Sequence, residues 1–166
     1  MNPGLVLALV LAVCLEATEA VAAAVLEPQA APSPSLSPKE VVRIQVEALR
    51  KNDATDAGIA LVFRFASPQN RRTTGPISRF AQMIRTSPYD VMLNHRTVTY
   101  GPTILGESRM RQEVTITAKD GLKKRFLWLV SRQDDGPDAG CWMTDAVFAV
   151  ESDPKGTPVW ALNPVT

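Results

Sequence analysis

The spacing of apolar positions changes about halfway along this 166-residue chain. Residues 38–86 repeat at helical intervals, whereas residues 89–150 alternate or run continuously, as strands do. Val41, Ile44, Ala48 and Leu49 mark a first helix. Its start lies in Ser37-Pro38-Lys39-Glu40, which supplies an N-cap serine, a proline at the first helical position and a capping-box glutamate. Asn52 and Asp53 end it. A second helix is expected from Asp56 to Ala66, where Ile59, Ala60, Leu61, Val62, Phe63 and Phe65 leave almost no polar face and predict a central position. Ser67-Pro68 reads as its stop, because the residue before a proline resists the helical region, and residues 67–75 read as a polar loop. Gly75-Pro76 opens a third helix with a stripe of Ile77, Phe80, Met83 and Ile84, and Ser87-Pro88 closes it.

Strand signals follow. Tyr89 to Tyr100 alternates until Gly101-Pro102 breaks the pattern. Arg109 to Ala118 alternates more cleanly, with Gln112, Val114, Ile116 and Ala118 on one side. Lys119-Asp120-Gly121 is a hairpin turn signal. Phe126 to Val130 is apolar on both faces, Asp134-Asp135-Gly136-Pro137 starts another turn, and Cys141 to Val150 is the last strand. Helices followed by strands, without alternation, predict an α+β domain over residues 38–150. Its three N-terminal helices pack on one face of a four-stranded antiparallel sheet. Such a sheet leaves its other face open, yet the strand at 126–130 is apolar on both sides. A homodimer through the outer sheet face, or the tail with Val159 and Trp160, would cover it.

The segments flanking this domain suggest an address. Leu5 to Leu15 is an apolar run, followed by small residues at Thr18 and Ala20 or Ala22 and Ala24 that suit signal peptidase. The run is shorter than the roughly 20 residues a bilayer span needs. Residues 1–24 are therefore expected to be a signal peptide of a periplasmic or secreted protein, although no Lys or Arg precedes the run. An uncleaved anchor is the rival reading. Leu11-Ala12-Val13-Cys14 is a poor lipidation site, since Val13 stands where a small residue is wanted. Residues 25–37 form a Pro/Ser/Ala linker and residues 151–166 a Pro-rich tail.

Composition narrows the chemistry. A net charge of +1 gives no strong pull toward nucleic acid or an anionic membrane. Lys123-Lys124-Arg125 and Arg71-Arg72 lack interleaved aromatics and read as solvated faces. Removing the leader removes Cys14 and leaves Cys141, so no intramolecular disulfide forms. One histidine and one such cysteine exclude the usual Cys/His zinc sites, and no glycine-rich phosphate loop, CxxC or HExxH is present. No cofactor or metal is expected.

The candidate site residues are few. His95 would serve as a general base, since imidazole titrates near neutrality, but a lone strand histidine is more often structural. Arg64 interrupts an apolar helix and would hold an anionic ligand, although such arginines commonly snorkel to the surface. Tyr89 with Asp90, Tyr100, and Asp145 complete the set, because tyrosine and aspartate pairs serve isomerases that tune a buried carboxyl. Cys141 has no evident cation or helix N-terminus to activate it.

From Val41 to Val150 the chain resembles an uncharacterised family, the domain of unknown function numbered 4864. The resemblance rests on Gln45 and Ala48, on Phe63-Arg64-Phe65-Ala66-Ser67-Pro68 and on Gly75. It continues through Phe80-Ala81-Gln82-Met83-Ile84-Arg85, Tyr89, Gln112-Glu113-Val114 and Trp142. That family is similar to nuclear-transport-factor-2-like (SnoaL-like, cystatin-like) folds, which implies a curved sheet wrapping the helices into a cone with a pocket. The resemblance implies no activity and no catalytic roles. The stretch Asp134–Gly140 and the Pro-rich tail depart from the pattern. The expected function is noncatalytic binding of a small apolar or anionic ligand, or of a protein partner. The alternative is an isomerase- or hydrolase-type enzyme. An enzyme would gather His95, Asp145, a tyrosine or Arg64 into one pocket, and a binding module would hold them apart.

Overall fold

Ser37 begins the first helix as expected. Its hydroxyl accepts from the Glu40 N–H at 3.3 Å, and the Glu40 carboxylate accepts from the Ser37 N–H at 2.7 Å, which closes a capping box. The computed structural model describes residues 30–150. The expected signal peptide, and the tail with Val159 and Trp160, lie outside the described residues. Among the described residues four α-helices precede the sheet: α1 (Pro38–Arg50), α2 (Ala57–Arg64), α3 (Pro68–Thr74) and α4 (Ile77–Ile84). Four strands follow, β1 (Thr97–Leu105), β2 (Arg109–Thr117), β3 (Lys123–Arg132) and β4 (Trp142–Val150), paired antiparallel in chain order. The architecture is α+β, as the pattern predicted.

The helix count differs from the expected three. Residues 67–75 are not a loop, because Ser67-Pro68 starts a helix rather than only stopping one. The Ser67 hydroxyl accepts from the Asn70 N–H at 3.2 Å, and Pro68 occupies the first turn. The dipeptide thus repeats the role of Ser37-Pro38.

The segment Tyr89–Arg96 is likewise not strand. Asp90–Met92 forms a 3₁₀ turn, and Asn94 takes a positive φ of 50°. Asn94 is held there by the carboxyl end of α1: its N–H donates to Leu49 O at 2.9 Å and its Nδ2 to Asn52 O at 2.6 Å. It satisfies carbonyls that the helix end leaves without intrahelical partners. β1 therefore begins later, at Thr97, and passes through Gly101-Pro102 on a bulge between Tyr100 and Thr103. An edge strand tolerates a proline that lacks a ladder donor.

The core lies between α1 and α2 and the inner sheet face. Val41, Val42, Val46, Leu49 and Ile59 meet Met110, Val114, Ile116, Phe126, Trp128 and Val130, all buried. Gly58 allows the two helices to touch, because a Cβ there would lie 2.1 Å from the Ala48 carbonyl oxygen. Asn52 Oδ1 accepts from the Ile59 N–H at 3.1 Å and caps α2, a task the left-handed Asp56 does not perform. On the outer face, Leu127 is buried between the paired Glu113 and Phe148, while Phe148 itself is 51% exposed.

Candidate functional site

Residues 65–67 leave α2 and lie along the free edge of β4. Thr144 N–H donates to Phe65 O and Ser67 N–H to Thr144 O, both at 2.9 Å, so Ala66 and Thr144 form a single parallel bridge. That crossing turns the chain into α3, so that α3 and α4 line one side of a space and β4 the other. The space between them is a cavity of about 330 Å³. Leu49, Val62, Phe80, Ile84, Met92 and Trp128 supply much of its apolar wall, and Gln69, Asn70, Thr73 and Thr74 of α3 a polar side.

The segments that carry the family resemblance build this enclosure. In Phe63–Pro68, the Phe63 ring packs tilted against Phe80 with centroids 5.1 Å apart, Phe65 is fully buried, Ala66 lines the cavity and Ser67 caps α3. In Phe80–Arg85, Phe80, Met83 and Ile84 line the cavity, and Arg85 ion-pairs with Asp56.

Gln45 gives the cavity its one buried amide–hydroxyl pair. It is fully buried, its Nε2 donates to Val41 O at 3.0 Å and to Thr144 Oγ1 at 2.8 Å, and the Thr144 hydroxyl reaches Gln45 Oε1 at 3.1 Å. This pair ties α1 to β4 across the back of the cavity. Asn70 Nδ2 donates to Thr144 O at 3.0 Å and ties α3 to the same strand. Neither Gln45 nor Thr144 was a candidate from the sequence. The signal was there: Gln45 falls four residues after Val41 and four before Leu49, a polar side chain in an apolar stripe.

The candidates fall in different places. Tyr89 and Asp145 both line the cavity. The Tyr89 hydroxyl donates to Val147 O at 3.1 Å. Arg64 is exposed, outside the cavity lining, and its guanidinium donates to Ala30 O at 3.1 Å. His95 is buried and also outside the lining. Its Nδ1 lies 2.8 Å from Met92 O, so Nδ1–H donates and Nε2 stays unprotonated, buried and without a partner among the described residues. Cys141 is buried, and burial, then the nearby Asp138 charge, push its thiol up and away from thiolate reactivity. Tyr100 lies under the Arg43 guanidinium, 5.4 Å from its ring centre. Among the described residues, no three His, Cys, Asp or Glu side chains are placed to hold a metal ion, and no helix is long and apolar enough to cross a membrane.

Burial of His95 has a pH consequence. Desolvation holds its pKa below the ordinary imidazole value. The Met92 carbonyl and Glu47 oppose that shift, and Arg50 adds to it. The unfolded chain therefore binds this proton more readily than the native one, so stability falls as pH drops below about 6.5 and continues to fall until the native ring titrates. The melting temperature should decline between pH 7 and 5.5, and His95→Gln should flatten that decline. An equal decline in the variant would remove His95 as its source.

Comparison with known proteins gives one match. The model of a family described as a domain of unknown function, DUF4864, covers residues 35–157. No curated protein and no solved structure matches the chain.

Proposed function

The chain belongs to the DUF4864 family, and from that premise we propose that its domain binds a small, largely apolar molecule in the cavity between the helices and β4, without transforming it. The observation that carries this reading is the cavity itself: an apolar enclosure of about 330 Å³ with a small number of polar groups. Catalysis is less well served. Only Tyr89 and Asp145 of the candidate set line the cavity, and the Tyr89 proton is already given to a backbone carbonyl. His95 and Arg64 line other parts of the molecule.

The curved, cone-like scaffold belongs to the same proposal, supported by the irregular register of β1 against β2 and of β4 against β3, since bulges increase local twist and bend. The leader pattern of residues 1–24 supports export to a periplasmic or extracellular site. Exposure of Ile104 (48%) and Phe148 (51%) supports pairing of two copies through the outer sheet face. Light scattering at micromolar concentration should then return twice the monomer mass, and a monomeric mass would argue against pairing.

The binding reading is tested by titrating 1-octanol into the purified protein in a calorimeter, together with native mass spectrometry for a retained molecule. Saturable 1:1 binding is expected. Val62→Trp, which places an indole in the cavity wall, should weaken it at least tenfold while far-ultraviolet circular dichroism stays unchanged. Absence of both octanol binding and a retained molecule would end the proposal.

A further inference from the structure

Asp145 is the one acidic side chain in the cavity lining, and the fold gives it nothing to bind. The β3–β4 register passes from Leu129–Ala146 to Val130–Thr144, which leaves Asp145 as the extra residue of a bulge. Bulges re-aim side chains next to sites, and this one sets Asp145 into the cavity wall, half-buried. Its carboxylate makes no hydrogen bond or ion pair among the described residues.

The polar side chains that α1 and α3 bring to the cavity are already committed, while the Trp128 indole N–H is buried without a partner among the described residues. Asn70 donates to Thr144 O and accepts from the Thr74 hydroxyl, Thr73 donates to Gln69 O, and Gln45 is held by Thr144. Of the guanidiniums on and just after α3 and α4, Arg71 is engaged on Asp138 at 2.9 Å, Arg72 on Gln69 and Arg85 on Asp56, and Arg79 is exposed to solvent outside the cavity lining. No basic side chain lines the cavity.

Four aromatic residues, Phe80, Tyr89, Trp128 and Phe148, complete this environment. Aromatic faces attract cations, and a partly desolvated carboxylate without a counter-charge favours a positive group and repels a negative one. We infer that the molecule this cavity takes is a cationic amine with an apolar body, its ammonium group set against Asp145. The inference rests on the binding reading above and reverses the anionic preference that Arg64 suggested, since Arg64 lies outside the cavity. The volume holds roughly eleven water-sized groups, which fits a chain of about eight carbons with a polar head.

The test compares three probes that share one chain length: octylamine, 1-octanol and octanoate, each titrated into the full chain at pH 7. Octylamine should bind at least fivefold more tightly than octanol, and octanoate at least tenfold more weakly than octylamine. In Asp145→Asn, with an unchanged far-ultraviolet spectrum, the ratio of octylamine to octanoate affinity should fall below twofold. Equal affinities for the three probes in the native protein would overturn the charge preference and leave cavity binding intact. A preference that survives in Asp145→Asn would overturn the role of Asp145. Failure of all three probes to bind would overturn the cavity reading and this inference with it.

Discussion

Gly58→Ala is expected to lower the unfolding free energy by about 3 kcal/mol, as overpacking against a fixed neighbour does. Two effects compete. Alanine is the better helix former, by about 1 kcal/mol in a helix interior. Against that, the added Cβ would lie 2.1 Å from the Ala48 carbonyl oxygen, 2.9 Å from the Ala48 carbonyl carbon and 3.0 Å from Asn52 Oδ1. The first two atoms are backbone, so no rotamer change relieves the contact. The third is the acceptor that caps α2 at the Ile59 N–H. The steric term therefore wins, and it acts on the α1–α2 contact that supports one side of the cavity. Urea denaturation measures it. Gly121 offers the contrast: its φ of 89° strains any side chain, but open space surrounds it, so Gly121→Ala should cost only about 1–2 kcal/mol. A Gly58→Ala protein as stable as the native one would mean that α1 and α2 can separate freely.

The second large effect concerns Gln45 and Thr144, ninety-nine residues apart and both buried. Gln45→Leu should cost about 2 kcal/mol, because it leaves the Thr144 hydroxyl unsatisfied in a site closed to water. Thr144→Val should cost a similar amount by stranding Gln45 Oε1, since Nε2 keeps its bond to Val41 O. The double variant replaces both partners by apolar groups of similar shape, and its loss should fall short of the summed losses by at least about 1 kcal/mol. A double-mutant cycle in urea reads that difference directly. Strict additivity would show that the two groups do not depend on one another, and that α1 is tied to β4 by packing alone.

Much of this fold was legible in the chain. α1 could be placed because its cap, its proline and its stripe all agree, and local signals of that kind need no distant partner. β2 and the turn at residues 118–122 were legible for the same reason: strict alternation ends where Ala118 N–H and Leu122 O close the turn around Gly121. The misreadings have tertiary causes. Ser67-Pro68 both ends one helix and begins another, and only its pairing with Thr144 shows that the chain turns there. The alternation at Tyr89–Arg96 is overridden by Asn94, whose backbone is held by the end of α1. The cavity was the least legible part. Gln45 was visible as an anomaly, but its partner was not, and a period-two pattern gives no warning of the bulge that sets Asp145 in the wall. Arg64 and His95 drew notice as isolated charged or titratable residues, a signal that carries no information about which wall they stand on.

The two borders of the sheet have a bearing on how this protein behaves when crowded. A strand at a border presents bare amides and carbonyls that invite pairing with a like strand from another molecule. In β1 that invitation is interrupted at Gly101-Pro102, where the register slips and proline offers no donor, so the uninterrupted template runs only from Thr97 to Tyr100. On β4 the border is occupied at Thr144 by the backbone of residues 65–67. Each border is interrupted at one point, β1 by its bulge and β4 by the bridge at Thr144. The segment that shapes the cavity thus also breaks the continuity of one of the two borders.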